Sequence, residues 1–161
     1  MKQPALKPCP HPMDALLPHA RPMILLDEAV GWDETRLVAT VTVRSGSPFF
    51  ETGKGMAAHV AIEWMAQACG AFVGAEALER GGPVRLGLLL GTRDFKAAVS
   101  WFSEGQRLTV SAALVYRDGE MGVFDCVVAA DGAERAKAQL TVYQPADAVA
   151  LLAGQGARIM S

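Results

Sequence analysis

Three polar side chains stand in one row inside an otherwise small and apolar stretch of the chain. The stretch GMAAHVAIEWMAQACGAFVGAE, residues 55–76, contains His59, Glu63 and Gln67, which are spaced by four. Side chains four residues apart are neighbours on a helix surface, so a helix would place all three in one seam. A histidine can take a proton and a carboxylic acid can give one, so His59 and Glu63 are candidates for acid–base catalysis.

The elements around the seam must enclose a helix that is apolar on nearly every side. The pattern predicts a helix over residues 57–80 that ends at Gly81, Gly82 and Pro83. A helix with apolar residues all round its circumference has to be covered by other elements. We therefore expect the seam to lie close to a sheet.

Alternating apolar and polar residues predict strands on both sides of this helix. The predicted strands cover residues 22–32, 36–44, 84–102, 106–117, 120–130 and 134–144. Each Asp-Gly pair, at 118–119 and 131–132, predicts a tight hairpin. The predicted fold class is α+β, with a curved antiparallel sheet wrapped around one long central helix, which is the hot-dog fold.

Length and composition indicate one globular domain over residues 1–161, with an irregular arm at 1–12 and a tail at 145–161. Of its residues, 51% are hydrophobic and 20% are charged, and the formal net charge is −2. That balance gives no basic surface for nucleic acid, and no run approaches the roughly 20 apolar residues of a membrane span. Cys9, Cys69 and Cys126 form no Cys-x-x-Cys pair, so we expect reduced thiols and a cytoplasmic protein.

The start of the predicted helix supplies further candidates for substrate binding. Backbone N–H groups of Gly55 and Met56 would lie at the positive end of the helix dipole, where they could hold a developing oxyanion. Phe49 and Phe50 lie in a glycine-rich loop that we expect to fold back onto a pocket. Together with Trp64 and residues 88–90 they would line an apolar pocket. The alternative is structural: His59 and Glu63 satisfy each other while Gln67 binds a strand carbonyl.

Three motifs, in order, carry a resemblance to a known family. They are LLPHARPMILLDE at 16–28, SPFF at 47–50 and IEWMAQACG at 62–70. The set resembles the hot-dog β-hydroxyacyl-[acyl-carrier-protein] dehydratases over residues 13–144, and is closer to a branch associated with aryl-polyene biosynthesis. The resemblance implies a catalytic Glu63, a helper amide at Gln67 and a substrate-proximal Gly91 in the long strand that follows the helix.

The same resemblance implies partners. These proteins act on a phosphopantetheine thioester of an acyl carrier protein, need no cofactor, and pair with themselves or with a related hot-dog subunit. Arg85, Arg93 and Lys96 are candidate contacts for the acidic carrier protein. A solvated strand edge explains these cations equally well.

The sequence differs from the family pattern at the catalytic histidine. The family's loop reads G-H-F-P-G and carries the catalytic histidine, whereas this chain has ETGKGMAAH, in which His59 is the nearest histidine. The leading hypothesis is a 3-hydroxyacyl dehydratase with His59 as base and Glu63 as acid. The alternatives are an acyl thioesterase on the same fold and a non-catalytic subunit that binds the carrier protein. A metal on His59 and Glu63 would lack a recognisable third ligand.

Overall fold

The structure is a computed structural model that describes residues 6–18, 23–85 and 87–145. His19, which belongs to the first family motif, and the predicted tail from residue 146 onward lie outside the described residues. The helices are α1 (Met13–Leu16) and α2 (Ala61–Glu79). The strands are β1 (Glu28–Trp32), β2 (Arg36–Thr42), β3 (Phe50–Glu51), β4 (Gly55–Ala57), β5 (Leu88–Ala97), β6 (Trp101–Phe102), β7 (Arg107–Asp118), β8 (Met121–Ala130) and β9 (Ala133–Tyr143).

A six-stranded antiparallel sheet packs against α2. Its strand order is β1-β2-β7-β8-β9-β5, and α2 contacts β2, β7, β8 and β9. The helix buries most of its surface, as expected for a helix without a polar face. The predicted α+β hot-dog architecture is confirmed. None of the helices among the described residues is long and apolar enough to cross a bilayer.

Both predicted hairpins form. β8 turns into β9 at Asp131 and Gly132 as predicted, and both have positive φ, at 52° and 77°, which is the signature of the type I′ turn. β7 turns into β8 at Gly119 and Glu120, one residue later than predicted, because Asp118 pairs with Met121. Along β9 the residues predicted to face inward are all buried, namely Ala136, Ala138, Leu140 and Val142.

The predicted start of the long helix is wrong by four residues. The α-helix begins at Ala61, after a 3-10 turn at Ala58–Val60, and the preceding Gly55–Ala57 is a strand. Helix propensity predicts helix boundaries only weakly, because tertiary contacts can override it. Here Met56 and Ala57 pair with β6 as a strand and do not join the helix. The predicted end is close: the N–H of Gly82 donates to the carbonyl of Ala77 at 2.8 Å.

A second, three-stranded sheet of order β3-β4-β6 occupies the region predicted as a loop and the end of the long run 84–102. That run therefore splits between two sheets. Gly55 has φ 104°, and a Cβ there would overlap the carbonyl oxygen of Phe102 on the neighbouring strand. Only glycine fits both the backbone angle and the close approach of β6.

The N-terminal part of the chain contacts both α2 and β1. A Cβ at Gly74 would overlap the carbonyl oxygen of Leu16, so α1 crosses α2 at a glycine. Within the predicted strand at 22–32 the structure has β1 at Glu28–Trp32, and the N-terminal arm adds a bridge between Lys7 and Trp32. The contact at Gly74 places α1 against the second half of α2.

Two buried cysteines connect the helix to the sheet without a disulfide. The sulfur atoms of Cys69 on α2 and Cys126 on β8 lie 3.6 Å apart in the core, and both thiols are free. Burial, together with the hydrogen bond to Cys126, raises the pKa of the Cys69 thiol well above its ordinary value. Both residues therefore act as small core side chains.

Candidate functional site

The three polar residues of the seam differ sharply in burial. His59 lies in the 3-10 turn and is exposed, Glu63 lies in the first turn of α2 and is half-buried, and Gln67 is fully buried. The row therefore runs from solvent into the core along one side of the helix start. A carboxylic acid at this position borders both the solvent and the apolar interior.

Glu63 combines partial burial with a place near the positive end of the helix dipole. Its residue is half-buried, and its Oε2 atom has almost no contact with solvent. The first turn of a helix favours a negative charge, while burial favours the neutral acid. A carboxylic acid at this place can serve as a proton donor.

The side-chain amide of Gln67 is hydrogen-bonded to the polypeptide segment that precedes β1. Its Oε1 accepts a hydrogen bond from the N–H of Leu25 at 2.8 Å, and its Nε2 donates to the carbonyl of Met23 at 2.7 Å. The oxygen and the nitrogen of the amide are therefore both hydrogen-bonded, and their partners are backbone groups that lie outside the strands. The structural alternative expected Gln67 to bind a strand carbonyl, whereas the carbonyl that it binds is that of Met23, which precedes the strand β1.

The predicted oxyanion donors lie in a strand and not at a helix terminus. Gly55 and Met56 belong to β4, which is paired on one side with β3 and on the other with β6. The N–H of Ala58, at the start of the 3-10 turn, donates to the carbonyl of Ser100 at 2.9 Å. Pairing on both edges of β4 is the reason that these residues do not present a free helix end.

A cavity of about 220 Å³ opens beside the first turns of α2. We call it the Trp64 cavity. Its lining residues are Ile24, Leu25, Asp27, Val41, Arg44, Ser47, Pro48, Met56 and Trp64. Most of the wall is apolar, which suits a hydrocarbon chain.

The predicted pocket lining is only partly right. Trp64 lines the Trp64 cavity, while Phe49, Phe50 and Leu88 are not among its lining residues. Phe49 is 50% exposed with φ 70°, so the loop directs this ring to solvent. Phe50 pairs through β3 with Met56, which does line the cavity.

Two polar side chains of the cavity satisfy each other. Nη1 of Arg44 lies 2.7 Å from Oδ1 of Asp27, and the N–H of Thr42 donates to Oδ2 of Asp27 at 2.8 Å. Asp27 thus spans from the segment fixed by Gln67 to the end of β2. This ion pair is partly exposed, so it shapes the cavity and adds little to stability.

The remaining predicted residues lie outside this region. Gly91 and the cations Arg93 and Lys96 are on β5, the edge strand of the six-stranded sheet. Arg85 precedes β5, and its guanidinium lies 3.8 Å from Glu120. None of the four lines the Trp64 cavity. In the part of the chain that the structure describes, no three His, Cys, Asp or Glu side chains are grouped to hold a metal ion.

The sequence did not predict one polar atom near the site, the indole nitrogen of Trp64. The indole N–H of Trp64 is buried and has no hydrogen-bond partner among the described residues. Sequence spacing gives no signal for this, because tryptophan at an apolar position reads as core. It becomes visible only when the neighbours of the ring are known.

Comparison with known proteins assigns the family. The model of the ApeP dehydratases, described as ApeP-like, matches residues 11–153. The chain belongs to the ApeP-like dehydratase family. This ApeP-like dehydratase is similar to the dehydratase heterocomplex ApeI:P from Xenorhabdus doucetiae, with 31% identity, a TM-score of 0.84 and coverage of 90% of this chain and 98% of that chain. The comparison with curated proteins gives no match.

More distant structures share the fold alone. A hypothetical thioesterase with coenzyme A from Streptococcus pneumoniae is 16% identical, with a TM-score of 0.59, and the match covers 73% of this chain and 84% of that one. The PaaI protein from the phenylacetic acid degradation operon of Escherichia coli is 14% identical, with a TM-score of 0.57 and coverage of 73% and 78%. The family match supports dehydration and does not favour the thioesterase alternative.

Proposed function

We propose that this ApeP-like dehydratase converts 3-hydroxyacyl thioesters of an acyl carrier protein into 2-enoyl thioesters, in fatty-acid or aryl-polyene-type lipid biosynthesis. The observation that carries the proposal is the graded burial of His59, Glu63 and Gln67 at the start of α2. It supplies an accessible base, a shielded acid and a fixed neighbouring segment along one seam.

The reaction is an elimination with one proton taken and one given. A base removes a proton from the α-carbon, and the electron pair of that bond moves toward the thioester carbonyl oxygen as an enolate. The pair then returns to form the α,β double bond while the β-carbon–oxygen bond breaks. Glu63 gives its proton to the departing hydroxyl, which leaves as water. Acid–base groups are sufficient, so we propose that no cofactor takes part.

We propose His59 as the base. Residues 6–18, 23–85 and 87–145 contain two histidines, His11 in the N-terminal arm and His59, which lies four residues before Glu63. The exposure of His59 gives it access to an incoming thioester. The family's loop histidine is absent from ETGKGMAAH, so a related subunit that supplies its own histidine is the competing source of the base.

A second hot-dog subunit is part of the proposal. The similar structure from Xenorhabdus doucetiae is a heterocomplex. In this chain β5 ends the sheet, and Leu90, beside the irregular pairing of Leu89 and Gly91, is 54% exposed. A ten-residue edge strand with free backbone groups is a template for pairing with another chain. We place the partner, either a related subunit or a second copy, at this edge.

Contacts with the carrier protein form a separate part of the proposal. Arg85, Arg93 and Lys96 are exposed, and they lie before or along β5. Cations at the rim of an interface raise the rate of encounter with an acidic partner. Substituting them with alanine should raise KM for a carrier-bound substrate and leave KM for a small N-acetylcysteamine thioester unchanged.

Substrate-proximal roles for Phe49, Phe50, Gly55, Met56 and Gly91 remain proposals. Met56 is supported by its place in the lining of the Trp64 cavity. Its neighbour Gly55 is proposed on the family resemblance. We also propose a cytoplasmic location, which the free thiols support.

The proposal is tested by product analysis with the purified chain, alone and with its partner subunit. A 3-hydroxyoctanoyl thioester of the carrier protein should give the conjugated enoyl thioester and release no free thiol. His59→Ala should lower kcat by at least about a hundredfold if His59 is the base. Full activity of His59→Ala in the complex would assign the base to the partner, and absence of enoyl product with wild-type complex would refute the proposed function.

A further inference from the structure

The segment that precedes β1 forms one wall of the Trp64 cavity. Ile24 and Leu25, with exposed fractions of 5% and 9%, contribute apolar side chains to its lining. We call these two residues the Ile24 wall. Residues 24–27 belong to no helix or strand, so the position of the wall depends on the hydrogen bonds that the segment makes with neighbouring elements.

One pair of hydrogen bonds fixes the Ile24 wall to α2. The buried amide of Gln67 accepts from the N–H of Leu25 at 2.8 Å and donates to the carbonyl of Met23 at 2.7 Å. The two bonds lie on either side of Ile24, so the backbone is held at both of its neighbours. Buried polar groups are costly to leave without partners, which keeps the wall against the helix.

A second set of hydrogen bonds fixes the same segment to β2. The N–H of Asp27 donates to the carbonyl of Thr40 at 2.7 Å, and Oδ2 of Asp27 accepts from the N–H of Thr42 at 2.8 Å. Oδ1 of Asp27 accepts from Nη1 of Arg44 at 2.7 Å. The Ile24 wall is therefore anchored to the helix on one side and to the sheet on the other, and it resists displacement by a ligand.

The size and chemistry of the cavity indicate what it holds. Its volume of about 220 Å³ is below the roughly 300 Å³ at the lower end of small-molecule pockets. Val41, Met56 and Trp64 add to the apolar lining. Trp64 directly follows Glu63 in α2, so the cavity borders the helical turn that carries the proposed acid. A small apolar cavity with a fixed wall fits a short hydrocarbon chain.

We propose that the Trp64 cavity holds the far end of the substrate's acyl chain, and that the Ile24 wall limits the length of that chain. Gln67 and Asp27 are then positioning residues, because they act on the substrate through this wall. The inference rests on the proposed function, since it concerns the acyl group of the same thioester. Affinity should rise with each added methylene until the cavity is filled, and then stop rising.

The length limit is measured with saturated S-acyl-pantetheines from butanoyl to dodecanoyl, bound to the full chain together with its partner subunit wherever activity requires one. Titration calorimetry gives Kd for each probe. We expect affinity to rise roughly fourfold per methylene among the shorter chains and to level off or fall among the longer ones. A steady rise through dodecanoyl would overturn the proposal, because no wall would then limit the chain.

A pair of variants locates the limit in the structure. Ile24→Ala shortens the wall, so affinity should level off at a chain longer by roughly two methylene groups. Leu26→Ala removes the same number of carbon atoms from a fully buried neighbour that does not line the cavity. It should lower stability and leave the limit unchanged. The same limit in Ile24→Ala as in wild type, or an equal shift in Leu26→Ala, would contradict the proposal.

Asp27→Ala tests the positioning role by releasing the Ile24 wall from β2. The ratio of kcat/KM for a 3-hydroxydodecanoyl thioester to that for a 3-hydroxyoctanoyl thioester should rise at least about fourfold, through KM and not kcat. A purely structural role would lower activity with both substrates alike. Glu28→Ala is the control, because this neighbouring acid pairs with Arg107 at 3.5 Å and does not line the cavity.

The outcomes separate this inference from the proposed function. An unchanged ratio in a folded Asp27→Ala variant, or an equal rise in Glu28→Ala, would overturn the positioning role while enoyl product still forms. Absence of enoyl product from wild type with both substrates would refute the proposed function itself. The wild-type binding series and Ile24→Ala decide the question should Asp27→Ala fail to fold.

Discussion

The two sheets of this protein are built in different ways. The six-stranded sheet has strands of five to twelve residues, and β8 and most of β9 alternate buried with more exposed side chains. The three-stranded sheet has strands of two or three residues, and it holds the chain directly before α2. One carries most of the core, and the other fixes where the helix begins.

This difference separates stability from the placement of the site. In the six-stranded sheet many residues share the burial of α2, so each contributes apolar contact without a special geometry. In the three-stranded sheet single contacts matter, such as the approach of Phe102 to Gly55. Changes in the first sheet should therefore lower stability and spare the chemistry, while changes in the second should also disturb the seam.

The largest effect on stability is expected in the core of the six-stranded sheet. Leu140→Ala removes a fully buried side chain on β9 and should lower the free energy of unfolding by roughly 3 to 4 kcal/mol. Urea denaturation measures this, and kcat per folded molecule should stay within twofold. Val115→Ala, at a 51% exposed position on β7, should cost less than about 0.5 kcal/mol. A large loss of kcat in folded Leu140→Ala would contradict the division of roles.

A substitution at Gly55 tests the role of the three-stranded sheet. Gly55→Ala combines an unfavourable φ of 104° with overlap against Phe102, and should cost roughly 2 to 3 kcal/mol and lower kcat/KM. Gly53→Ala is the matched control, because Gly53 also has positive φ, at 81°, yet has open space around it. It should cost only about 1 kcal/mol and leave kcat/KM unchanged. Equal effects of the two variants would argue against the close approach of β6.

Gln67 links the seam to the segment before β1. Gln67→Met keeps the length of the side chain but leaves the N–H of Leu25 and the carbonyl of Met23 without their partner, so we expect a loss of about 2 kcal/mol. The control is Gln139→Met on the outer face of β9, whose amide bonds the exposed Asp125. Thermal unfolding at matched pH compares the two, and similar small losses would show that the buried amide has no special role.

The smallest effect is expected at the turn between β1 and β2, away from both the core and the site. Although partial burial opposes it, the N–H groups of Thr35 and Arg36 and the Thr35 hydroxyl hold the pKa of Asp33 below its ordinary value of 3.8. A lowered pKa in the folded state stabilises the protein above the unfolded pKa, and this contribution is lost as the pH falls through the folded pKa.

Asp33→Asn should therefore lower Tm slightly at pH 7, and the difference from wild type should shrink as the pH is lowered below about 4. Scanning calorimetry between these conditions measures it. A difference that grows on acidification would show that the pKa of Asp33 is raised by folding and not lowered.

Much of the large sheet is predictable because each strand is long enough to reveal its period. Asp131 and Gly132 specify their turn, and the alternation from Ala136 to Val142 specifies which face is buried. The family resemblance likewise places Glu63 and Gln67 on the long helix. These features depend on local patterns that tertiary contacts reinforce.

The small sheet could not be predicted for the opposite reason. A strand of two residues, such as Phe50–Glu51, has no period, and the pairing of Met56 with Phe102 joins residues far apart in sequence. The start of the helix at Ala61, four residues later than predicted, follows from that pairing. The site is therefore fixed by non-local contacts that no single stretch of sequence displays.

The central claim is that Glu63, at the start of α2, donates the proton that releases water. The most direct measurement is kcat of Glu63→Gln for a 3-hydroxyoctanoyl thioester, in the same complex as wild type and with folding verified by Tm. We expect kcat to fall at least about a hundredfold with little change in Tm, because glutamine keeps the shape and cannot act as the acid. A Glu63→Gln enzyme with wild-type kcat would contradict it.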